Sequence, residues 1–334
     1  MNTPFSSPPA ERGAALLAVL LLVAVMASLS AVALEKMTLA ARTAGNAAAL
    51  EQARAFALGA ESYAVLRIGD LVRLSPERTT LRGGWHGNPI RIPLPTGTAT
   101  AVVTDGGNCF NLNGVVQTEP FAAAGAPPRY VASSRGMSQL AGLLRVTGTP
   151  TNEADAVAGA LADWIDSDDA PGPAGAEDSA YAALAYTPPN RLVVDPTELR
   201  AVLGVTPAIF ASVKPWLCAL PTATPSPINV NTLTPEQAPL LAMLLPGQLG
   251  VDGARNLLAR RPPDGWPSSD AFWDEPAVQA LAAAPDTRAQ IVEKTRWFRL
   301  RLDVELDGAQ VEEDALIDAG SVPARLVSRT WGQD

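Results

Sequence analysis

The sequence has few of the residues on which enzymes depend. Its 334 residues include one histidine, His86, which lies in a Gly- and Trp-rich stretch. No Cys-x-x-Cys pair, Gly-x-Ser-x-Gly nucleophile motif or Gly-rich phosphate-binding loop is present. A lone histidine in such a stretch is more typical of a loop residue than of a general base. The sequence therefore predicts a protein that is not an enzyme.

Basic residues are also scarce, with 25 Lys and Arg against 34 Asp and Glu. The excess of acid is concentrated between residues 151 and 200, where ten acidic residues stand against two arginines. A nucleic-acid partner would require the opposite sign, so we expect none.

Cysteine is limited to Cys109 and Cys218. In an oxidising compartment the two could form a disulfide that closes a loop of about 100 residues. The alternative is two unrelated buried thiols, because cysteine is often buried without pairing.

Charge is absent from residues 14–34, a run of 21 residues that is long enough to cross a membrane as a helix. It could be a secretory signal peptide cut after Ala33, although it is longer than usual and its leader lacks a cationic bias. It could also be a plain signal anchor, which the flanking charges barely orient. A third interpretation rests on Arg12 and Gly13. The short polar leader resembles a prepilin leader, in which a dedicated peptidase cuts after that glycine and here would expose Ala14.

Beyond the run, a helical pattern without proline continues to about Leu66. Strand signals then follow at 90–94, 98–104 and 109–116. The clearest strand covers 298–306, ends at an Asp307-Gly308 hairpin turn, and is followed by a further strand at 322–331.

Helical patterns fill the interval between these two β regions. We predict helices at 153–166, 198–202, 207–216, 235–245, 252–259 and 275–283. Because strands resume afterwards, this interval is best interpreted as a domain inserted between strands. A Cys109–Cys218 disulfide would fix such an insert to its base.

An acidic segment inside this interval predicts either a calcium site or a solvated loop. Two carboxylate clusters, 163–169 and 177–178, flank a Pro/Gly-rich turn. Calcium takes six to eight oxygen ligands, which several carboxylates and backbone carbonyls can supply. The segment is not an EF-hand, because Pro171 stands where that loop needs glycine.

Several segments together resemble the type II secretion system protein K family of minor pseudopilins. They are the Arg12-Gly13 leader, CFNLN at 109–113, LADWIDSDD at 161–169, GAED at 175–178, INVNT at 228–232 and SRTWG at 328–332. The sequence departs from most pilins at Ala18, where the fifth residue after the cut is usually Glu. Protein K is the pseudopilin without that Glu.

The resemblance implies an α+β fold, in which a pilin-like long N-terminal helix packs on a small antiparallel sheet and a large all-α domain is inserted between strands. The implied segments are a leader (1–13), a transmembrane part (14–34) and a periplasmic part (35–70) of the helix, a β domain (71–116 and 287–334) and the insert (117–286). It also implies a single-pass inner-membrane protein with a periplasmic bulk, placed at the pseudopilus tip. Its implied partners are I- and J-type minor pseudopilins and a prepilin peptidase that acts at Gly13 and Ala14.

The resemblance further implies calcium, with four best candidates for ligands: Asp166, Asp168, Glu177 and Asp178. Asp163 and Asp169 are weaker candidates, because the first lies on the predicted helix and the second could face solvent.

Residues 228–250 also resemble a helix-hairpin-helix element, which leaves a DNA-binding or competence-type minor pilin as the alternative function. No basic residue occurs between residues 228 and 253, and the expected Gly-x-Gly hairpin is replaced. A packing role within the insert is therefore the favoured interpretation of this element. A membrane-anchored hydrolase is a third class, for which the sequence offers no nucleophile.

Overall fold

A computed structural model describes residues 9–120 and 127–332, with side chains from residue 13 onward. Most of the predicted leader, residues 1–8, lies outside the described residues. Helix α1 runs from Pro9 to Leu74, eight residues beyond the predicted end. It is 66 residues long, on the order of 100 Å at 1.5 Å per residue. Its residues 13–48 are exposed, and the helix is long and apolar enough to span a membrane.

The second half of α1 packs on a sheet through small side chains. Ala53, Ala57, Ala60 and Ala64 are buried at spacings of three and four residues, and Ile68 and Val72 continue the stripe; a single face of the helix is therefore covered. Alanine lets the helix approach the strands closely, and its opposite face stays exposed.

Eleven strands are present in the described ranges. In chain order they are β1 (Ile90–Leu94), β2 (Gly97–Asp105), β3 (Phe110–Asn111), β4 (Val116–Thr118), β5 (Tyr130–Ala132), β6 (Leu217–Cys218), β7 (Ile228–Asn229), β8 (Ile291–Val292), β9 (Trp297–Leu306), β10 (Ala309–Asp318) and β11 (Arg325–Trp331).

Five of these strands form one antiparallel sheet in the order β1-β2-β9-β10-β11. Strand β9 alternates buried and exposed residues, as its sequence predicts, and its buried face contacts α1. The predicted hairpin turn joins β9 to β10. Asp307 and Gly308 both have positive φ, 48° and 81°, as a two-residue I′ turn requires.

The region between β2 and β9 contains the remaining α-helices of the described ranges. They are α2 (Ser134–Val146), α3 (Thr151–Ile165), α4 (Asp178–Tyr181), α5 (Pro207–Val213), α6 (Ala238–Ala242), α7 (Val251–Ala259), α8 (Ser269–Trp273), α9 (Pro276–Gln279) and α10 (Pro285–Arg288). Short 3-10 turns extend α5 to Trp216, precede α6 at 235–237 and replace the predicted helix at 198–202. The α+β fold class, a long helix on an antiparallel sheet with a large helical insertion, is confirmed.

The prediction of one strand over 109–116 is wrong. Within this segment the two residues of β3 are followed by a 3-10 turn at Leu112–Val115, and Val116 already begins β4. The reason is the pair of buried asparagines in this segment. Asn111 Nδ2 donates to the carbonyls of Thr222 and Thr224, and Asn113 Nδ2 donates to two further carbonyls. Side-chain bonds to distant loops thus replace a strand ladder.

Two short strands that lie outside the expected bounds of the insert, 117–286, pair with strands inside it. Strand β3 pairs in parallel with β6, which lies in the helical region. The last strand of the five-stranded sheet before that region is β2, which ends at Asp105. Strand β8 likewise pairs with β7 and not with the large sheet. Strands β3 and β8 therefore pair with strands of the insert. Cys109 and Cys218 form a disulfide in the structure. Cys109 directly precedes β3, and Cys218 lies in β6.

A buried hydrogen-bond network joins the sheet to the insert at Asp105. Its carboxylate accepts from the hydroxyls of Thr232 (2.6 Å) and Thr295 and from the backbone N–H groups of Gly107 (2.9 Å) and Asn108 (3.3 Å). Burial raises the pKa of Asp105, and these four donors oppose that rise. The INVNT segment supplies Thr232, so its polar residues hold the insert on the sheet.

A second cluster of charged residues joins β11 to α1. Arg329 on β11 makes two 2.7 Å hydrogen bonds to Glu61 on α1, and its Nε lies 3.5 Å from Glu313 on β10. Glu313 is 1% exposed, and within the described ranges its carboxylate oxygens have no hydrogen-bond partner. Burial and the Glu61 carboxylate raise the pKa of Glu313 to about 8.

Glu313→Gln is therefore expected to stabilise the protein increasingly as pH rises. The raised pKa of Glu313 means that its neutral form suits the fold, and this contribution is lost between its ordinary pKa of 4.5 and about 8. Melting temperatures of variant and wild type, compared across this range, should diverge toward high pH. Glu305→Gln, on an exposed position of β9, is the control. A constant difference across the range would contradict the assignment.

Candidate metal centre

The C-terminal end of α3 and the loop after it carry the acidic segment. Asp163 and Asp166 are three residues apart, so they lie on one side of α3, and Asp166 caps the helix immediately after its last residue, Ile165. The loop then folds back onto the helix. A Cβ at Gly175 would lie 1.9 Å from Asp163 Oδ2, so only glycine fits this close approach. The loop therefore returns the second acidic cluster to the first.

Three carboxylates meet where the loop closes. Oxygens of Asp166, Asp168 and Glu177 all lie within 4.8 Å of one another. Asp166 and Glu177 are 5% and 4% exposed, whereas Asp168 is exposed. Oδ1 of Asp166 and both carboxylate oxygens of Glu177 have no hydrogen-bond partner in the described part of the chain. Buried acceptors without donors are costly, and a bound cation would supply the partners that these oxygens lack.

The electrostatics of the site agree with this geometry. Burial, followed by the charges of Asp168 and Asp163, raises the pKa of Asp166 to about 7. Burial and the neighbouring carboxylates also raise the pKa of Glu177 to about 7. Within residues 9–120 and 127–332, neither Lys nor Arg forms an ion pair with any of the three. A bound cation would reverse both shifts.

The sequence-based candidates separate into two groups. The structure brings together Asp166, Asp168 and Glu177. It does not bring Asp178 to them, because this residue begins α4 and its side chain faces solvent. Asp169 is also exposed and accepts a hydrogen bond from Asn190.

Asp163, ranked lower from the sequence, is buried beside the cluster. Its carboxylate accepts from the backbone N–H of Gly172, 3.1 Å away at the closer oxygen. Burial raises the pKa of Asp163, and hydrogen bonds from Gly172 and Ala176 oppose the rise. Asp163 thus holds the loop against α3. The sequence signal that places Asp163 beside the cluster is its spacing of three residues from Asp166 on a helix.

The donor set fits a hard divalent cation. Three carboxylates supply oxygen ligands only, and no histidine or cysteine lies among them. Calcium accepts flexible geometry and completes its shell with backbone carbonyls and water, which an irregular loop with one exposed ligand can provide. Asp166, Asp168 and Glu177 would hold the ion, and its charge would offset the repulsion among them.

The proposed processing residues lie at the other end of the molecule. Gly13 and Ala14 are both in the first turns of α1, and both are exposed.

Comparison with known proteins gives one consistent result. Two family models, both described as type II secretion system protein K, match residues 108–222 and 228–292. Type II secretion system protein K of Pectobacterium carotovorum is 31% identical, and that of Klebsiella pneumoniae is 32% identical. Each alignment covers 96% of this chain and 97% of the relative.

A solved structure has the same fold. One chain of the crystal structure of the GspK-GspI-GspJ complex from the enterotoxigenic Escherichia coli type 2 secretion system matches with a TM-score of 0.71 and 27% identity. The match covers 85% of this chain and 97% of that chain.

Proposed function

This chain belongs to the type II secretion system protein K family, and on that premise we propose that it is a minor pseudopilin at the tip of the pseudopilus. It acts by assembly and not by turnover, and so supports export of folded proteins across the outer membrane. The observation that carries this proposal is the combination of an exposed apolar stem with a bulky insert on one small sheet.

The stem supports anchoring in the inner membrane. Residues 14–34 are uncharged, exposed and helical, so they match the thickness of a bilayer core. The helix then continues for 40 residues from Leu34 to Leu74, about 60 Å at 1.5 Å per residue. The sheet and the insert follow this part of α1 in the chain, so they lie on the same side of the membrane as it does, and we place that side in the periplasm.

Two features support a terminal position in the filament. Ala18 stands where other pilins carry a Glu that would neutralise the amine of a neighbouring subunit, and an unpaired charge in the bilayer is costly. A subunit without this carboxylate needs no neighbour above it. The insert adds roughly half of the chain to the sheet, and this bulk would obstruct stacking of another subunit.

The partners we propose are I- and J-type minor pseudopilins, because the matching solved chain was crystallised in a GspK-GspI-GspJ complex. Immunogold labelling of pseudopili, with an antibody against the insert, tests the placement. We expect label at one end of each filament. Label along the filament length would contradict the tip assignment.

We also propose that Asp166, Asp168 and Glu177 bind calcium, with Asp163 holding the loop. Asp166→Asn with Glu177→Gln should abolish the rise in melting temperature that calcium causes. A ligand at 100 times its dissociation constant stabilises by about 2.7 kcal/mol, so the wild-type rise should be easily measured.

Asp178→Asn is the matched control, since it removes an acidic side chain of the same loop that lies outside the cluster. It should keep the full calcium response. A normal response in the double variant, or its loss in Asp178→Asn, would contradict the ligand set.

The DNA-binding alternative predicts that the full chain binds duplex DNA at physiological salt. The helix-hairpin-helix-like segment does not favour it. Asn229 and Thr232 of this segment are buried in the Asp105 network, so their polar groups face the protein interior.

A further inference from the structure

A second charged site lies where the loop after α1 meets the insert. Two adjoining cavities of about 290 Å³ and 240 Å³ share Thr80 and Arg82 in their walls. Arg78 lines the first cavity, and Arg261 and Asn231 line the second. We call these two cavities the basic pocket. Three of its lining residues are arginines and one, Asp264, is acidic.

Two of the three arginines of this pocket, Arg78 and Arg261, have no ion-pair partner within the described ranges. Arg261 is half-buried, and Nη1 donates only to the backbone carbonyls of Val230 (3.2 Å) and Leu233. The pKa of Arg261 is lowered by burial. The pKa of His86 is lowered by burial and by the charge of Arg261. A partly buried guanidinium without a carboxylate is an unusual arrangement, because desolvated cations are normally paired.

The third arginine can exchange its partner. Arg82 contacts Asp264 at 2.5 Å, but their side chains are 73% and 66% exposed. An ion pair this open to solvent contributes little, so an incoming carboxylate could displace Asp264.

We propose that the basic pocket binds the carboxylates of an acidic segment of a protein partner. Guanidinium groups bind carboxylates through paired N–H donors, and arginines in two adjoining cavities suit carboxylates that are spaced along a chain. A lipid headgroup is not the ligand, since the pocket follows the end of α1, about 60 Å along the helix from Leu34. The net charge of −9 repels any anion, and this repulsion grows with the length of a polyanion such as DNA, so a short acidic segment confined to the local pocket is favoured over DNA.

The test uses the full chain in detergent and a fluorescein-labelled hexaglutamate peptide, followed by fluorescence anisotropy. We expect saturable binding that weakens as salt is raised. Arg78→Gln and Arg261→Gln should each weaken it about tenfold, the effect of losing roughly 1.4 kcal/mol of charge-assisted hydrogen bonding. Arg255→Gln is the control, because this exposed arginine of α7 pairs with Asp252 away from the pocket. It should bind as the wild type does.

Two variants are needed because Arg261 also holds backbone carbonyls and its loss could disturb the fold. Arg78 makes no such bond to any described residue, so an unchanged melting temperature in Arg78→Gln separates binding from folding. Absence of saturable binding, or equal loss in Arg255→Gln, would overturn the proposal. Tighter binding of a duplex DNA than of the peptide would also overturn it. So would complete displacement of the peptide by inorganic phosphate at an equal concentration, because the site would then hold a single small anion.

Discussion

Asp105→Ala is expected to lower the free energy of unfolding by about 3 to 5 kcal/mol, one of the largest effects that a single substitution can have here. The carboxylate accepts four hydrogen bonds in the interior. Alanine would leave the hydroxyls of Thr232 and Thr295 and two backbone N–H groups without their acceptor. Each buried donor that loses its partner costs about 1 to 3 kcal/mol, partly recovered by relaxation.

Thermal unfolding followed by circular dichroism would measure this effect. A loss of this size corresponds to a fall in melting temperature of about 6 to 20 °C for a domain of 150 to 250 residues. Asp105→Asn should cost less, because its Oδ1 still accepts and the threonine hydroxyls can turn to accept from the amide. Asp303→Ala, a half-exposed position of β9, is the control and should change little. Equal effects of Asp303→Ala and Asp105→Ala would contradict the network.

Removal of the disulfide is expected to have an effect of similar size. Cys109 and Cys218 are 109 residues apart, and in the chain-entropy model closing a loop of about 100 residues stabilises by up to ~4.7 kcal/mol. Cys109→Ser with Cys218→Ser should therefore melt well below the wild type under oxidising conditions. Residual structure in the denatured chain would reduce the difference.

A reducing agent supplies the matched control for the disulfide. It should lower the melting temperature of the wild type toward that of the double variant and leave the double variant unchanged. If the wild-type protein is unfolded, reduced and refolded, and its melting temperature does not change, the disulfide does not stabilise the fold. A double variant that still responds to the reductant would indicate another cause.

The parts of the fold that the sequence predicts best are those with a repeating pattern of their own. Strand β9 alternates apolar and polar residues, and its Asp307-Gly308 turn has the residues that a I′ turn favours. Helix α1 is a long stretch of helix formers without proline after Pro9, its first residue. In these elements, neighbours in the sequence determine the conformation, so no knowledge of distant contacts is needed.

The errors lie where distant residues determine the conformation. Helix α2 was not predicted, because Gly136 and Gly142 weaken its local helix signal. In the structure Gly136 is needed, since a Cβ there would lie 1.8 Å from the carbonyl oxygen of Gly114. Segment 109–116 carries strand signals, but its asparagines bond to carbonyls about 80 to 110 residues further along the chain, and these bonds set its conformation.

The candidate metal centre shows the same division. The composition of the acidic segment leaves a calcium site and a solvated loop as alternatives, and the family resemblance favours the calcium site. The sequence does not show that α4 begins at Asp178 and turns this side chain into solvent while Glu177 stays buried. Adjacent residues in a loop can face opposite directions, and only the path of the chain decides which one joins the cluster.

The most direct test of the central claim is the intact mass of the mature chain, purified from cells that contain a prepilin peptidase. A pseudopilin that keeps its stem should begin at Ala14, with Gly13 and the residues before it removed. The same preparation from cells without the peptidase should retain the leader. A mature chain that begins at Leu34 would contradict the account, because the membrane-spanning part of α1 would then be a discarded signal peptide.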